Sequence, residues 1–198
     1  MSGAAIELVT LALRDRIAEA LTEPGVTPAV KPAVFVGPLD APGAQDQRVV
    51  LFLHRIATNA ELRNQTYRQP SSAAGGQAWE VHERAVPLDL HFLVTSTQTP
   101  ESTQTRDLPS LRDLGRIVLA LHQQPLIAGR IAGGQSSTLI LEQLSAEDLS
   151  RLWSLFPTVN CRTSLTYLLS PVWLVPETSP PGAPVVEEIY GTRTRSGA

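Results

Sequence analysis

One cysteine, one methionine and one lysine stand in a chain of 198 residues. The lone Cys161 cannot close a disulfide within the chain, and there is no CxxC pair to start a zinc site. A reducing compartment during synthesis fits this usage. Charged residues make up 18% and aromatics 5%, against roughly 25% charged in an average domain. A surface with so few charges suits a protein that hides part of itself against partners. The formal net charge of -3 speaks against a dedicated nucleic-acid binder, which carries a basic patch. Long apolar runs are missing too. Nothing approaches the ~18 residues a membrane-spanning helix needs, so no membrane insertion is expected. The first 22 residues mix Leu and Val with Glu7, Arg14, Asp15, Arg16 and Glu19, which is not a signal peptide. The expectation is synthesis and assembly in the cytoplasm.

Catalytic signatures are equally scarce. There is no GxSxG elbow, no GxxxxGK[ST] phosphate loop and no GxGxxG turn. His54, His82, His91 and His122 show neither HxH nor HxxxH spacing, so no local metal pair exists. His82 and His91 could meet Glu80 or Glu83 across strands, but a solvated strand face explains them as well. Cys161 precedes Arg162, which could favour a thiolate, yet no histidine lies near in sequence. Glu147 and Asp148 fall in the first turn of a helix, where the helix dipole welcomes negative charge.

What is present is a series of well-marked elements. Ile6, Val9, Leu13, Ile17 and Leu21 recur at helical spacing over 4–22, ended before Pro24-Gly25. A short strand is expected within 28–36, then a Gly/Pro-rich loop at 37–47. Arg48–Ile56 reads as a strand with Val49, Leu51 and Leu53 on one face and Val50, Phe52, His54 and Ile56 on the other. Both faces are apolar, so both need cover: a helix on one side, a neighbouring subunit on the other. Polar residues 57–69 and the small-residue run 70–77 suggest the loop of a long hairpin. Its second arm would run from about Ala78 to Thr95, with Pro87 tolerated at a strand start. Ser110 is expected to cap a second helix, with Asp113 three residues on as an imperfect capping box, and Leu111, Leu114, Val118 and Leu121 mark its buried stripe with Ile117 flanking it. Leu139–Val175 is the best-punctuated stretch: a strand, a helix capped by Ser145 with Asp148 at N3, a stop at Pro157, and a long apolar strand. Trp153 and Trp173 within it read as packing residues. The expected fold is α+β, a mixed or antiparallel sheet with a long hairpin packed by about three helices. Residues 1–176 form a single domain, followed at 177–198 by an extended arm with prolines at 180, 181 and 184.

Five segments in this order, LFLHRIATNAELRNQ, VPLDLHFLVT, LGRIVLALHQQPLI, LEQLSAEDLSRLWSLF and RTSLTYLLSPVWLV, resemble the DUF4255 family, also called the Pvc16 N-terminal domain family. The resemblance covers about residues 4–176. Its more specific parts are Asn59, Leu62, Arg63 and Asn64 after the first strong strand, and Leu149–Trp153 before the last. It implies a tail terminator, or cap, of a phage-tail-like contractile injection system. Such a subunit joins copies of itself in a homo-hexameric ring that closes the baseplate-distal end of the inner tube and outer sheath. The implied partners are the inner tube protein and the sheath protein, with no nucleic acid, no cofactor and no enzymatic activity. The finished protein would be part of the particle and could leave the cell with it.

Two segments are the expected contacts. Arg63, Asn64, Tyr67 and Arg68 in the 57–77 loop are candidates for a subunit or tube interface. Val185, Val186, Ile189 and Tyr190 in the arm are candidates for strand addition to sheath. Two other readings compete. One is a small cytoplasmic enzyme using Cys161 or a pair such as His91–Asp89; the other is a monomeric assembly adaptor.

Overall fold

The structure is a computed structural model that describes residues 2–22, 34–70, 79–97, 108–127 and 135–176. Its centre is a six-stranded sheet in the order β1-β2-β5-β8-β7-β6, built from β1 (Val34–Val36), β2 (Val49–Thr58), β5 (Val86–Ser96), β8 (Ser164–Leu174), β7 (Ser137–Glu142) and β6 (Leu126–Ile127). The β1–β2 pair is parallel and every other pair antiparallel, so the sheet is mixed, as expected. The longest strands, β5 and β8, sit in the middle, where both edges are paired. Three helices complete the α+β fold: α1 (Ala5–Ala20), α2 (Leu108–Gln123) and α3 (Ala146–Trp153).

One face of the sheet is covered by α1 and α2. Val9, Leu13 and Ile17 from α1 and Ile117 and Leu121 from α2 meet Val49, Leu51, Leu90, Phe92, Val94, Tyr167 and Leu169 in the main core. The helices follow from their apolar period, which places those side chains on one side. Arg16 ties the layer together: its guanidinium donates to the carbonyls of Gln124 and Leu126 just past α2, where orphan carbonyls and the negative end of the dipole favour a cation.

The other face carries a smaller core of Leu39, Ala44, Val50, Leu93, Leu152, Trp153 and Phe156. Here α3 and the 38–47 loop cover Val50 and Phe52, so at this end the cover expected from a neighbouring subunit comes from the chain itself. The cap on α3 is the expected one. Ser145 Oγ accepts from the Asp148 N–H at 3.1 Å, and the chain turns out of the helix before Pro157. Trp153 and Trp173 are both buried, as packing residues should be.

Four expectations are corrected. Leu111, read as part of the buried stripe of α2, is 46% exposed, and Ile117 is the residue that enters the core. A bulge between Leu53 and Arg55 shifts the register, so Ile56 pairs with the core residue Leu90 instead of continuing the face of Val50 and Phe52, and its own side chain stays exposed. Strict alternation cannot foresee that extra residue. The second hairpin arm is not continuous from Ala78: β4 (Trp79–His82) pairs with β3 (Tyr67–Pro70) in a separate two-stranded sheet, and β5 starts anew at Val86. Ser110 is not a cap, because it lies within α2; its Oγ instead accepts from Ser96 Oγ at 3.2 Å. Its supposed partner Asp113 is buried against Arg48.

Candidate functional site

The polar segment after β2 is organised by Asn59. Its Oδ1 accepts from the backbone N–H groups of Glu61 and Leu62, at 3.1 and 2.9 Å, which folds the following turn. Its Nδ2 donates to Asp89 Oδ1 at 3.0 Å and to Ser170 Oγ at 3.2 Å, and Ser170 donates to the same Asp89 oxygen at 2.5 Å. Asn59 therefore anchors the turn to β5 and β8 at once. Arg63 and Asn64 sit exposed on that turn and Arg68 is exposed on β3. Tyr67 behaves differently. Its ring lies nearly parallel to His82 and Trp173, with centroids at 5.9 and 5.1 Å, and burial pushes its hydroxyl pKa up. It fastens the β3–β4 hairpin to β8 while Arg63, Asn64 and Arg68 face outward. Trp79, at the far end of β4, is exposed. Val185, Val186, Ile189 and Tyr190 lie outside the described residues.

Sequence spacing missed the contact between His54, His91 and Glu142. His91 Nδ1 lies 2.9 and 3.1 Å from the two Glu142 oxygens, reaching across β8 to β7. The His54 ring centroid is 6.1 Å from that of His91. Burial, reinforced by the adjacent His91 and Arg55, holds the His54 pKa below its ordinary 6.5 although Glu142 pulls the other way. Its Nε2 is buried without a hydrogen-bond partner. Only strand pairing brings these residues together, so no local pattern could reveal them.

The candidate catalytic residues do not converge. Asp89 is engaged by Asn59 and Ser170, while His91 turns to Glu142, so they form no dyad. His82 stacks on Tyr67, with Glu80 3.9 Å away. Cys161 is exposed between α3 and β8, and the Arg162 guanidinium is drawn to the Ser96 carbonyl and to Gln45 Oε1. Among the described residues, no group of three or more His, Cys, Asp or Glu side chains is placed to hold a metal, and no helix is long and apolar enough to cross a membrane.

The surface instead shows apolar side chains in places that suit contact with other proteins. Leu108, Leu111 and Leu119 project from α2, and Leu141 lines a groove between β7, β8 and α3. Beyond its short pairing with β6, the outer edge of β7 has Leu139 N–H donating to the Pro125 carbonyl at 2.8 Å.

Comparison with known proteins points the same way. Several solved chains match this fold, among them the following two. One is a sheath/tube terminator, in its extended state, from the PVC extracellular contractile injection system: TM-score 0.51, 17% identity, covering 96% of this chain and 64% of that one. The other is the tube-terminating cap of the anti-feeding prophage: TM-score 0.51, 18% identity, covering 98% of this chain and 59% of that one. At those identities the likeness is one of fold, and this chain spans about three fifths of the length of each. No curated protein matches the chain. The model of the Pvc16 N-terminal domain matches residues 8–188, which takes in Val185 and Val186 beyond Pro176. On that match, the chain belongs to the Pvc16 N-terminal domain family.

Proposed function

We propose that this chain is a structural terminator subunit that forms a ring closing the baseplate-distal end of the inner tube and contractile sheath of an injection system. The observation that carries the reading is the shared fold: two terminator or cap chains superpose over nearly the whole chain, within a family model matching 8–188. The ring is a homo-hexamer, and its partners are the tube and sheath proteins. The protein works by shape and contact without catalysis, a reading that the likeness to terminator and cap structures supports. It is made and assembled in the cytoplasm and ends as part of the particle. Arg63, Asn64 and Arg68, held out on a turn and hairpin that Asn59 and Tyr67 fix to the sheet, touch the next subunit or the tube. Val185, Val186, Ile189 and Tyr190 add to sheath as a strand.

Mass measurement on the purified chain, alone and with tube ends, tests the ring. The reading predicts an assembly of six 21.4 kDa subunits. A strict monomer that never co-purifies with particles contradicts it and favours the adaptor.

A further inference from the structure

We infer that the outer face of α2 docks into the β7–α3 groove of a second copy, making the contact that repeats around the ring. This rests on the terminator reading and adds to it the two surfaces that meet. The inward face of α2 carries Asp113, Leu114, Ile117 and Leu121. Opposite it stand Leu108, Leu111 and Leu119, which are 59%, 46% and 58% exposed. With Gly115 they lie at steps of three, four and four residues, one line along the helix. A helix carrying apolar stripes on two opposite sides has a second surface to bury.

Gly115 strengthens the case. A Cβ built there meets nothing within 4 Å, so the subunit's own packing does not require glycine. A mid-helix glycine weakens a helix relative to alanine, and its use is close approach of another chain to the backbone. Leu111 and Leu119 flank this gap one turn on either side.

The receiving groove has a volume of about 440 Å³ and is walled by Leu141, Leu144, Leu149 and Leu165 with Glu142 and Gln143. Its lining includes a carboxylate and no cation. Beside it, the first turn of α3 holds Glu147 and Asp148 against the single cation Arg151, which pairs with Glu147 at 2.5 Å, so this rim stays net negative. On α2, exposed Arg112 follows Leu111 at the flank of the leucine line. A parallel pair of α2 helices packed face to face would bring the Arg112 side chains of both copies together, which like-charge repulsion opposes. Docking α2 into the groove sets Arg112 toward acidic neighbours. It also joins two different patches, the head-to-tail contact that closes a ring, in the manner of a helix laid in an apolar groove.

The test uses the full chain with Leu119→Asp on the helix and Leu141→Asp on the groove. Each variant alone should lose assembly, with association weakened about tenfold or more. A mixture of the two should form dimers and stop there, because only one intact contact remains. Arg112→Glu, which removes no apolar group, should weaken assembly in the same direction. Should Leu141→Asp fail to fold by circular dichroism, Gln143→Arg replaces it on the exposed groove wall. Variants that assemble like the wild type overturn the inference and leave the ring reading standing. Variants that form rings but fail only on added tube or sheath assign the leucine line to that partner and also overturn it. A wild-type chain that stays monomeric with tube and sheath present overturns both readings.

Discussion

Arg48 grips both carboxylate oxygens of Asp113, with Nε and Nη2 donating at 2.6 and 2.5 Å. The fork joins the residue before β2 to the second turn of α2, and Asp113 is 1% exposed. A buried carboxylate left without its cation is strongly unfavourable, while the part-exposed arginine tempers the loss. Arg48→Ala should therefore cost about 2–3 kcal/mol in urea unfolding, with an unchanged denaturant slope. Arg48→Lys should recover only part of it, because a point charge cannot reproduce the bidentate geometry.

Asn59 is a second structural hinge point. It serves two backbone donors, Asp89 and Ser170 through one amide. Asn59→Ala should destabilise the chain by about 1–3 kcal/mol. Hydrogen exchange should speed up first across Glu61–Leu62 and the β3–β4 hairpin, ahead of the central strands β5 and β8. Uniform exchange across the molecule would show that the turn is not a separate unit.

Much of this frame was legible in the residues. The apolar period of α1 and the Ser145 cap of α3 are local signals, and both helices formed where those signals placed them. The surprises depend on partners distant in sequence. The bulge at Leu53/Arg55 is set by the pairing of β2 with β5. Asp113 read as half of a capping box because its real partner, Arg48, is 65 positions away. Tyr67 read as a loop contact, since nothing nearby in the chain announces its stack on Trp173. The segment bearing Asn59 was recognisable as a family motif before its hydrogen bonds gave it a reason.

The hairpin separates two roles that one substitution series can resolve. Tyr67→Ala removes a half-buried ring between His82 and Trp173 and should lower stability by about 2 kcal/mol. Arg63→Glu and Arg68→Glu, on exposed positions, should change stability by no more than about 0.5 kcal/mol. On the terminator reading they should still weaken assembly, measured by mass at fixed protein concentration. Arginine variants that assemble normally would remove this turn from the interface.

His54 makes stability depend on pH. Its folded pKa is lowered by burial and by His91, with Arg55 adding to the effect and Glu142 opposing it. The unfolded chain, with an ordinary value near 6.5, thus binds the proton more readily. The contribution is fully present above pH 6.5 and is lost as pH falls through that value toward the lower folded pKa. His54→Gln should flatten this acid limb of the stability profile, followed by thermal unfolding between pH 7.5 and 5. A variant with the wild-type slope would place the titration elsewhere.

The most direct test of the terminator reading is cryo-electron microscopy of injection particles purified with and without this chain. The account predicts a ring of the protein at the baseplate-distal end of tube and sheath in the first sample. In the second it predicts particles of abnormal length or with sheath detached at that end. Particles of normal length with a closed distal end in the absence of this chain would contradict it.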